Sequence, residues 1–390
     1  MSAQAYIELE HCQYRKANQH VAGDVFVSRR SNSGRRAICV LADGLGSGVE
    51  ACTLASLTAQ MALEFVASNI ATRRAAEIVM DALPLCPRRK ISYSTFTIVD
   101  TNLGGVTRII EHGNPAFVLI RDGKPVSVEQ VEVRQERWGG RSLAYSEFDA
   151  ALGDRILIFS DGVSQAGMGT EQYPLSWEPE NVRAYALECI RKIPEISAST
   201  LCELVAKQAL KIDGAKAGDD ITCAAIYIRK PRRLLVLSGP PYDKEGDAQY
   251  AQLAKSRDGK TVICGGTTAN IVARELGLPV TMDLSIIDDE IPTTSEMPGV
   301  DLVTEGCLTL GKTAQMLEAG ERGTRFNGAT RLLAMLLQSD IIDFVVGTSI
   351  NAAHQNPLLP VELDIRRNVI KKIARLLEDK HLKEVHIRYM

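Results

Sequence analysis

Ala37-Ile38-Cys39-Val40-Leu41-Ala42-Asp43-Gly44-Leu45-Gly46-Ser47-Gly48-Val49-Glu50 is the stretch on which the fold turns. Six apolar residues in a row read as a strand buried on both faces. The strand stops on an aspartate and passes through a glycine-rich segment. Ser47 and Glu50 then have the S-x-x-E spacing of a capping box. Leu54, Leu57, Met61 and Phe65 follow at helical spacing, so a helix is expected with those residues on its buried face. A carboxylate at a strand end is held rigidly at the rim of a sheet. No second strand follows at once, so Asp43-Gly44 is not expected to be the tip of a hairpin.

Asp-Gly occurs five times, at 43, 122, 161, 213 and 258, and most such dipeptides are turns. Asp122-Gly123 joins two short apolar runs and reads as a hairpin turn. Asp161, in Phe159-Ser160-Asp161-Gly162-Val163, instead ends the apolar run Arg155–Ser160. Asp24 lies in Ala22-Gly23-Asp24-Val25-Phe26, and Asp219 and Asp220 lie in Gly218-Asp219-Asp220-Ile221-Thr222. If these segments are neighbours, four or five carboxylates converge with no cation at the motif positions. Their mutual repulsion raises their pKa values unless a cation neutralises them. Hard oxygen ligands at open positions select Mg²⁺ or Mn²⁺. A carboxylate shared between two such ions, ~3.5–4 Å apart, is the two-metal arrangement for hydrolysis at phosphorus.

Composition narrows the field around that reading. The chain has 390 residues, 45 Lys plus Arg against 48 Asp plus Glu, and a formal charge of −3. The length requires two or three domains. The balanced charge argues against a nucleic-acid partner. Six His leave few candidates for histidine-based metal or relay chemistry. Nine cysteines in odd number, none paired as C-x-x-C, point to reduced thiols. The first residues are too polar for a signal peptide, and no run approaches the ~20 apolar residues of a membrane span. A cytoplasmic protein with no membrane association is expected.

Strand candidates in the first part are Arg36–Ala42, Tyr93–Asp100, Val106–Glu111, Ala116–Arg121, Arg155–Ser160 and Thr222–Ile228. Further helices are expected over Arg73–Leu83 and Ser199–Lys211. Arg229-Lys230-Pro231-Arg232-Arg233 is charged, breaks at proline and precedes a new apolar strand, so a boundary is set there. Beyond it, Leu234–Leu237, Thr261–Cys264, Val300–Val303 and Phe344–Val346 are short continuous apolar runs between helical stretches. That rhythm reads as a buried parallel sheet with crossover helices, ending in a helix over Val361–Leu377 and a final strand around His386.

The ordered motifs GD, ADGLGSG, LGDRILIFSDGV and GDDIT resemble the PPM-type metal-dependent Ser/Thr protein phosphatases. Their bacterial branch, typified by sporulation stage II protein E, is the nearest in pattern. Glu111-His112-Gly113-Asn114-Pro115-Ala116 resembles that branch's turn between two central strands, and the likeness covers about residues 5–230. It implies an N-terminal α-β-β-α sandwich of two antiparallel sheets flanked by helices (1–230); with the smaller α/β domain with a parallel sheet read from the apolar runs (231–390), the fold class expected is α+β. The likeness implies that Asp43 bridges two Mg²⁺ or Mn²⁺ ions (a third ion is an option) and that Gly44 adds its carbonyl. Asp24 would support the first ion, with Asp43 and Asp24 as the catalytic pair. Asp161 and Asp219 would hold the second ion, with Asp220 at the neighbouring position. The nucleophile implied is a hydroxide bridging the metals. The partner implied is a regulatory protein phosphorylated on serine or threonine, of the STAS-type anti-anti-sigma class. Eukaryotic members grip phosphate with an N-terminal arginine, for which Arg15 or Arg29 are the only guesses. Asn114 stands where branch relatives often carry His, and His112 is expected to pack or hydrogen-bond.

The helix beginning beside Asp43 is expected to gate the metal site by moving. The second domain is expected to regulate the first, bind a small ligand or mediate a homodimer. Gly265-Gly266-Thr267-Thr268 precedes a helix and could present N–H groups to an anion, although Thr267 or Thr268 as a plain N-cap is the commoner use. Asn351 and His354 are candidate ligand contacts. Nucleotide hydrolysis by this half is not expected. Two competing readings are a catalytically weak phosphatase-fold scaffold and a small-molecule enzyme in the second half.

Overall fold

A computed structural model of the chain describes residues 5–31, 34–83, 93–255, 259–283, 288–321, 325–349 and 359–390. The chain divides into two compact units between Lys230 and Pro231.

The first unit contains, in order, β1 (Tyr6–Tyr14), β2 (Asp24–Arg30), β3 (Arg36–Gly44), α1 (Gly48–Ala67), α2 (Thr72–Ala82), β4 (Ser94–Asn102), β5 (Val106–His112), β6 (Val118–Arg121), β7 (Lys124–Val126), β8 (Gln130–Arg134), β9 (Ser142–Asp149), β10 (Arg155–Phe159), α3 (Asp161–Ser164), α4 (Pro179–Lys192), α5 (Ala198–Ile212) and β11 (Ile221–Arg229). Two antiparallel sheets form, in the orders β2-β3-β4-β5-β9-β8 and β1-β11-β10-β6-β7. Alternation along β3 shows how they stack. Ala37, Cys39 and Leu41 pack with Ile7, Ile156, Ile158, Ala224 and Ile226 of the other sheet. Ile38, Val40 and Ala42 face the helices α1 and α2. Helices α4 and α5 cover the outer face of the second sheet. The result is the α-β-β-α sandwich.

Helix α1 departs from expectation in a way that matters for the site. Its buried residues are Ala51, Ala55, Thr58, Ala59, Ala62, Leu63 and Val66, whereas Leu57 is 59% exposed. Leu54, Met61 and Phe65 are only half-buried. The alanine face lets the helix lie close on the sheet. A Cβ added to Gly44 would overlap the Ala51 carbonyl, so this close approach requires glycine there. The expected capping box is also not formed. Ser47 is the N-cap but makes no side-chain cap bond; its Oγ accepts a hydrogen bond from Gln19 Nε2 at 3.4 Å.

The same dipeptide serves different ends along the chain. Asp122-Gly123 is a hairpin turn with both residues at positive φ (49° and 70°), joining Arg121 to Lys124 in register. Gly162, after Asp161, is needed for proximity, because a Cβ would overlap the Asp220 carbonyl. Asp213 is the C-cap of α5, and Asp258 lies outside the described residues. The eight cysteines among the described residues are free. No helix among those residues is long and apolar enough to cross a membrane.

The second unit contains β12 (Arg233–Ser238), α6 (Asp247–Lys255), β13 (Lys260–Cys264), α7 (Gly266–Leu276), β14 (Thr281–Met282), β15 (Ser295–Met297), β16 (Val300–Thr304), α8 (Cys307–Ala319), α9 (Gly328–Gln338), β17 (Ile341–Val346), α10 (Leu359–His381) and β18 (Glu384–Tyr389). Its sheet order is β14-β15-β16-β13-β12-β17-β18. The five strands from β16 to β18 are parallel. The edge pair β14 and β15 is antiparallel, so the sheet is mixed where a parallel one was expected. Leu235, Leu237 and Ile263 pack with α6 and α7 on one face. Leu234, Val236, Val262 and Phe344 pack with α8, α9 and α10 on the other. Burial on both faces is what turns these strands into continuous apolar runs.

Candidate active site

The site is built by register. Asp24 stands directly opposite Asp43 in the β2–β3 ladder, where facing side chains approach to ~4.5–5.5 Å. Asp43 continues the alternation of Ala37, Cys39 and Leu41, so it projects into the space between the sheets at their open end. The second sheet delivers its residues to the same end. Ser160 and Asp161 follow β10, and Asp219 and Asp220 precede β11, which pairs with β10. Asp43, Gly44, Asp161 and Asp219 line one cavity of about 810 Å³, together with Lys16 and Arg141.

Two of the expected residues lie behind that cavity. Asp24 is buried and accepts a 2.6 Å hydrogen bond from Thr222 Oγ1. Gln13 Nε2 donates to the Asp24 carbonyl and to Thr222 Oγ1, both at 3.0 Å. These bonds stitch one sheet to the other beneath the site. Asp220 is also buried, and both its oxygens are taken, one by the Lys16 N–H at 2.8 Å and the other by the Gly23 N–H at 2.7 Å. It clips the β1–β2 connection to the start of β11.

Electrostatics follows from this crowding. Burial, then repulsion from Asp161, Asp219 and Asp220, pushes the Asp43 carboxyl up to about 7. Burial, followed by the Asp43 charge, holds Asp24 well above the usual carboxylate range. Asp161 is raised by burial and by Asp219. Among the described residues no group of three or more His, Cys, Asp or Glu is already gathered at metal-binding spacing; the carboxylates border the cavity without meeting at a point. The donor set nevertheless fits a hard divalent cation: carboxylates and one backbone carbonyl, with excess negative charge.

The cations at the cavity are not those guessed from sequence. Arg29 pairs with Glu64 on the surface, and Arg15 donates to the His20 carbonyl. Lys16 Nζ instead reaches Asp219 at 3.3 Å. Arg141 donates to the carbonyls of Trp138, Leu83 and Met80. Neither stands in a recognisable motif, so only long-range folding reveals them. His112 makes a 2.9 Å Nδ1 hydrogen bond with the Ser142 carbonyl and packs on Phe96. Asn114 donates to Thr97 Oγ1 at 3.0 Å and accepts from Thr95 Oγ1. It ties the β5–β6 loop to β4.

Residues 33–229 match the family model for stage II sporulation protein E (SpoIIE). The chain belongs to the SpoIIE family. It is thereby a homologue of the PP2C-type Ser/Thr protein phosphatases. Similar solved structures include the SpoIIE phosphatase domain from Bacillus subtilis, 15% identical over 59% of this chain and 95% of that one, with a TM-score of 0.43. RsbX in complex with magnesium is 17% identical over 57% of this chain and 96% of that one, with a TM-score of 0.41. The catalytic domain of the phosphatase PstP with 2 manganese ions is 16% identical over 58% and 100%, with a TM-score of 0.40. No curated protein matches the sequence.

Proposed function

We propose that residues 1–230 hydrolyse phosphoserine or phosphothreonine on a regulatory protein of the STAS type, using two Mg²⁺ or Mn²⁺ ions. What supports this reading most is the Asp24–Asp43 register pair, with Asp161 and Asp219 arriving at the same open end from the other sheet. Asp43, Asp161, Asp219 and the Gly44 carbonyl would hold the metal, with Asp24 behind them. When bound, the metal supplies charge neutralisation and Lewis acidity toward water and the phosphoryl group.

The chain's own residues do the rest. Thr222 and Gln13 hold Asp24 in place. Asp220 fixes the loop that carries Lys16. Lys16 and Arg141 bring positive charge to the cavity wall, where they attract and orient phosphoryl oxygens. Residues 231–390 act as the regulatory unit.

Hydrolysis of p-nitrophenyl phosphate by the intact chain, with and without Mn²⁺, tests the reading. Metal-dependent turnover that disappears in Asp43→Asn is expected. Metal-independent turnover or an unaffected variant overturns it, and an inactive wild type that binds Mn²⁺ establishes the scaffold reading instead.

A further inference from the structure

The parallel strands of the second unit end in glycines on one side. Gly239 follows β12, Gly265 and Gly266 follow β13, Gly306 comes two residues after β16, and Gly347 follows β17. Read in chain order, the central strands run 3-2-1-4-5, the doubly wound arrangement whose loops at the carboxyl ends enclose a crevice. A cavity of about 1000 Å³ lies there.

Two long helices begin at this cavity. Helices α7 and α8 have glycine N-caps, Gly265 (φ 132°) and Gly306 (φ 140°), which have no side chain to cap them; in α8 the Leu308 N–H is taken by a neighbouring side chain, that of Glu305. The two starts abut, because a Cβ on Gly306 would stand 3.4 Å from the Gly265 Cα. Two positive dipole ends therefore meet at one place. The expectation that Thr267 or Thr268 caps α7 is not met. Thr268 is 1% exposed and its hydroxyl has no hydrogen-bond partner. That hydroxyl lies 3.2 Å from where a Cβ on Gly265 would stand, at the cavity wall. An unsatisfied buried hydroxyl is destabilising, and a ligand atom would satisfy it. Arg366 of α10 lines the same cavity, its guanidinium lying over Gly239.

The remaining wall describes the rest of the ligand. Val280, Met282, Leu308 and Ile365 line the cavity with 37%, 61%, 59% and 46% of their surface exposed. Glu305 also lines it and accepts a 3.2 Å hydrogen bond from the Leu308 N–H. A carboxylate at that place repels a bare phosphate but accepts from sugar hydroxyls.

We propose that this cavity binds a nucleoside phosphate. Its phosphate sits at the paired starts of α7 and α8 with Thr268 and Arg366, its sugar on Glu305 and its base against the apolar wall. G-x-G-x-x-G is absent, and Gly306–Thr313 carries the string G-x-x-x-x-G-K-T. From Cys307 onward, however, that string is already α8 and not a phosphate-wrapping loop, and Lys312 pairs with Glu290 at 2.8 Å, so a mononucleotide is bound and not hydrolysed. The inference is independent of the phosphatase reading.

Calorimetric titration of the full chain in EDTA with ADP, GDP, CDP and UDP separately, and with adenosine and inorganic phosphate, tests it. At least one diphosphate is expected to bind at least ~10-fold more tightly than adenosine or inorganic phosphate. A Cβ on Gly266 meets nothing within 4 Å, so Gly266→Val fills the cavity without overlapping the protein. Gly266→Val and Arg366→Gln should each weaken binding at least ~10-fold, while Asp43→Asn leaves it unchanged. Thr268→Val should weaken binding and yet raise the melting temperature of the ligand-free protein, a combination that a packing role does not produce. Binding by none of the four diphosphates overturns the proposal, as does phosphate binding as tightly as they do. So does binding that survives Gly266→Val and Arg366→Gln but is lost in Asp43→Asn.

Discussion

Both units have a cavity at the ends of their strands, yet the two are lined with opposite electrostatic bias. In the first, antiparallel register sets Asp24 against Asp43, and the second sheet adds Asp161 and Asp219, so the rim is short of positive charge. In the second, parallel strands require crossover helices, and α7 and α8 begin at the crevice beside Arg366, with the Leu308 N–H of α8 held by Glu305. The difference teaches that sheet type biases ligand charge. Antiparallel neighbours can stack like side chains across a ladder, whereas crossover helices present their positive ends at the carboxyl edge.

The sharpest way to break this comparison is Asp43→Asn. Turnover with Mn²⁺ should fall by more than the ~10–100-fold that loss of an outer-shell partner costs a metal site. The same variant should stabilise the metal-free protein. A carboxyl whose folded pKa is raised to about 7 binds more protons folded than unfolded, so the wild type loses stability as pH rises from about 4 to about 7. Thermal melts in EDTA at pH 8 should therefore place the variant above the wild type. Equal melting temperatures would mean that the acidic rim carries no strain.

Gly44→Ala ranks next. Its Cβ overlaps the Ala51 carbonyl, so α1 must shift on the sheet, at a cost of ~1–3 kcal/mol measured by urea unfolding. Glu111 separates burial from like-charge crowding. Burial outweighs its hydrogen bonds from the Phe117 N–H and Gln130 and pushes it up to about 7. Its contribution is likewise lost as pH rises from about 4.5 to about 7. Glu111→Gln should flatten that part of the stability–pH curve without altering the metal requirement. The smallest effect belongs to Ser47→Ala. A working cap is worth ~1 kcal/mol, but Ser47 makes no cap bond, so urea unfolding should register a loss well under ~0.5 kcal/mol.

Much of this was legible in the sequence, and each exception has a physical origin. The central strands β3, β4, β5, β10 and β11 announce themselves as apolar runs because both faces are buried. Strands β1, β2, β8 and β9 are not among the sequence candidates; the first three are sheet edges, and β9, though paired on both sides, buries only Leu143 and Ser146. An edge has one ladder neighbour and tolerates exposed polar residues, as in Gln130–Arg134, where only Val133 is buried. The face of α1 was misread because large apolar residues outweigh alanine in a periodicity, whereas close packing on a sheet selects alanine. Asn351 and His354 lie outside the described residues.

The order of the aspartate motifs, the strand ends that carry them and the break near Pro231 belong to the sequence alone, because apolar runs, glycines and prolines act locally. Which carboxylate faces the cavity belongs to the tertiary structure. Asp219 and Asp220 are neighbours in the chain, yet one lines the cavity and the other binds two backbone N–H groups behind it. Lys16 and Arg141 likewise reach the site only through folding. Adjacent residues in an extended segment point to opposite sides, and only the pairing of strands far apart in the chain decides which side is the site.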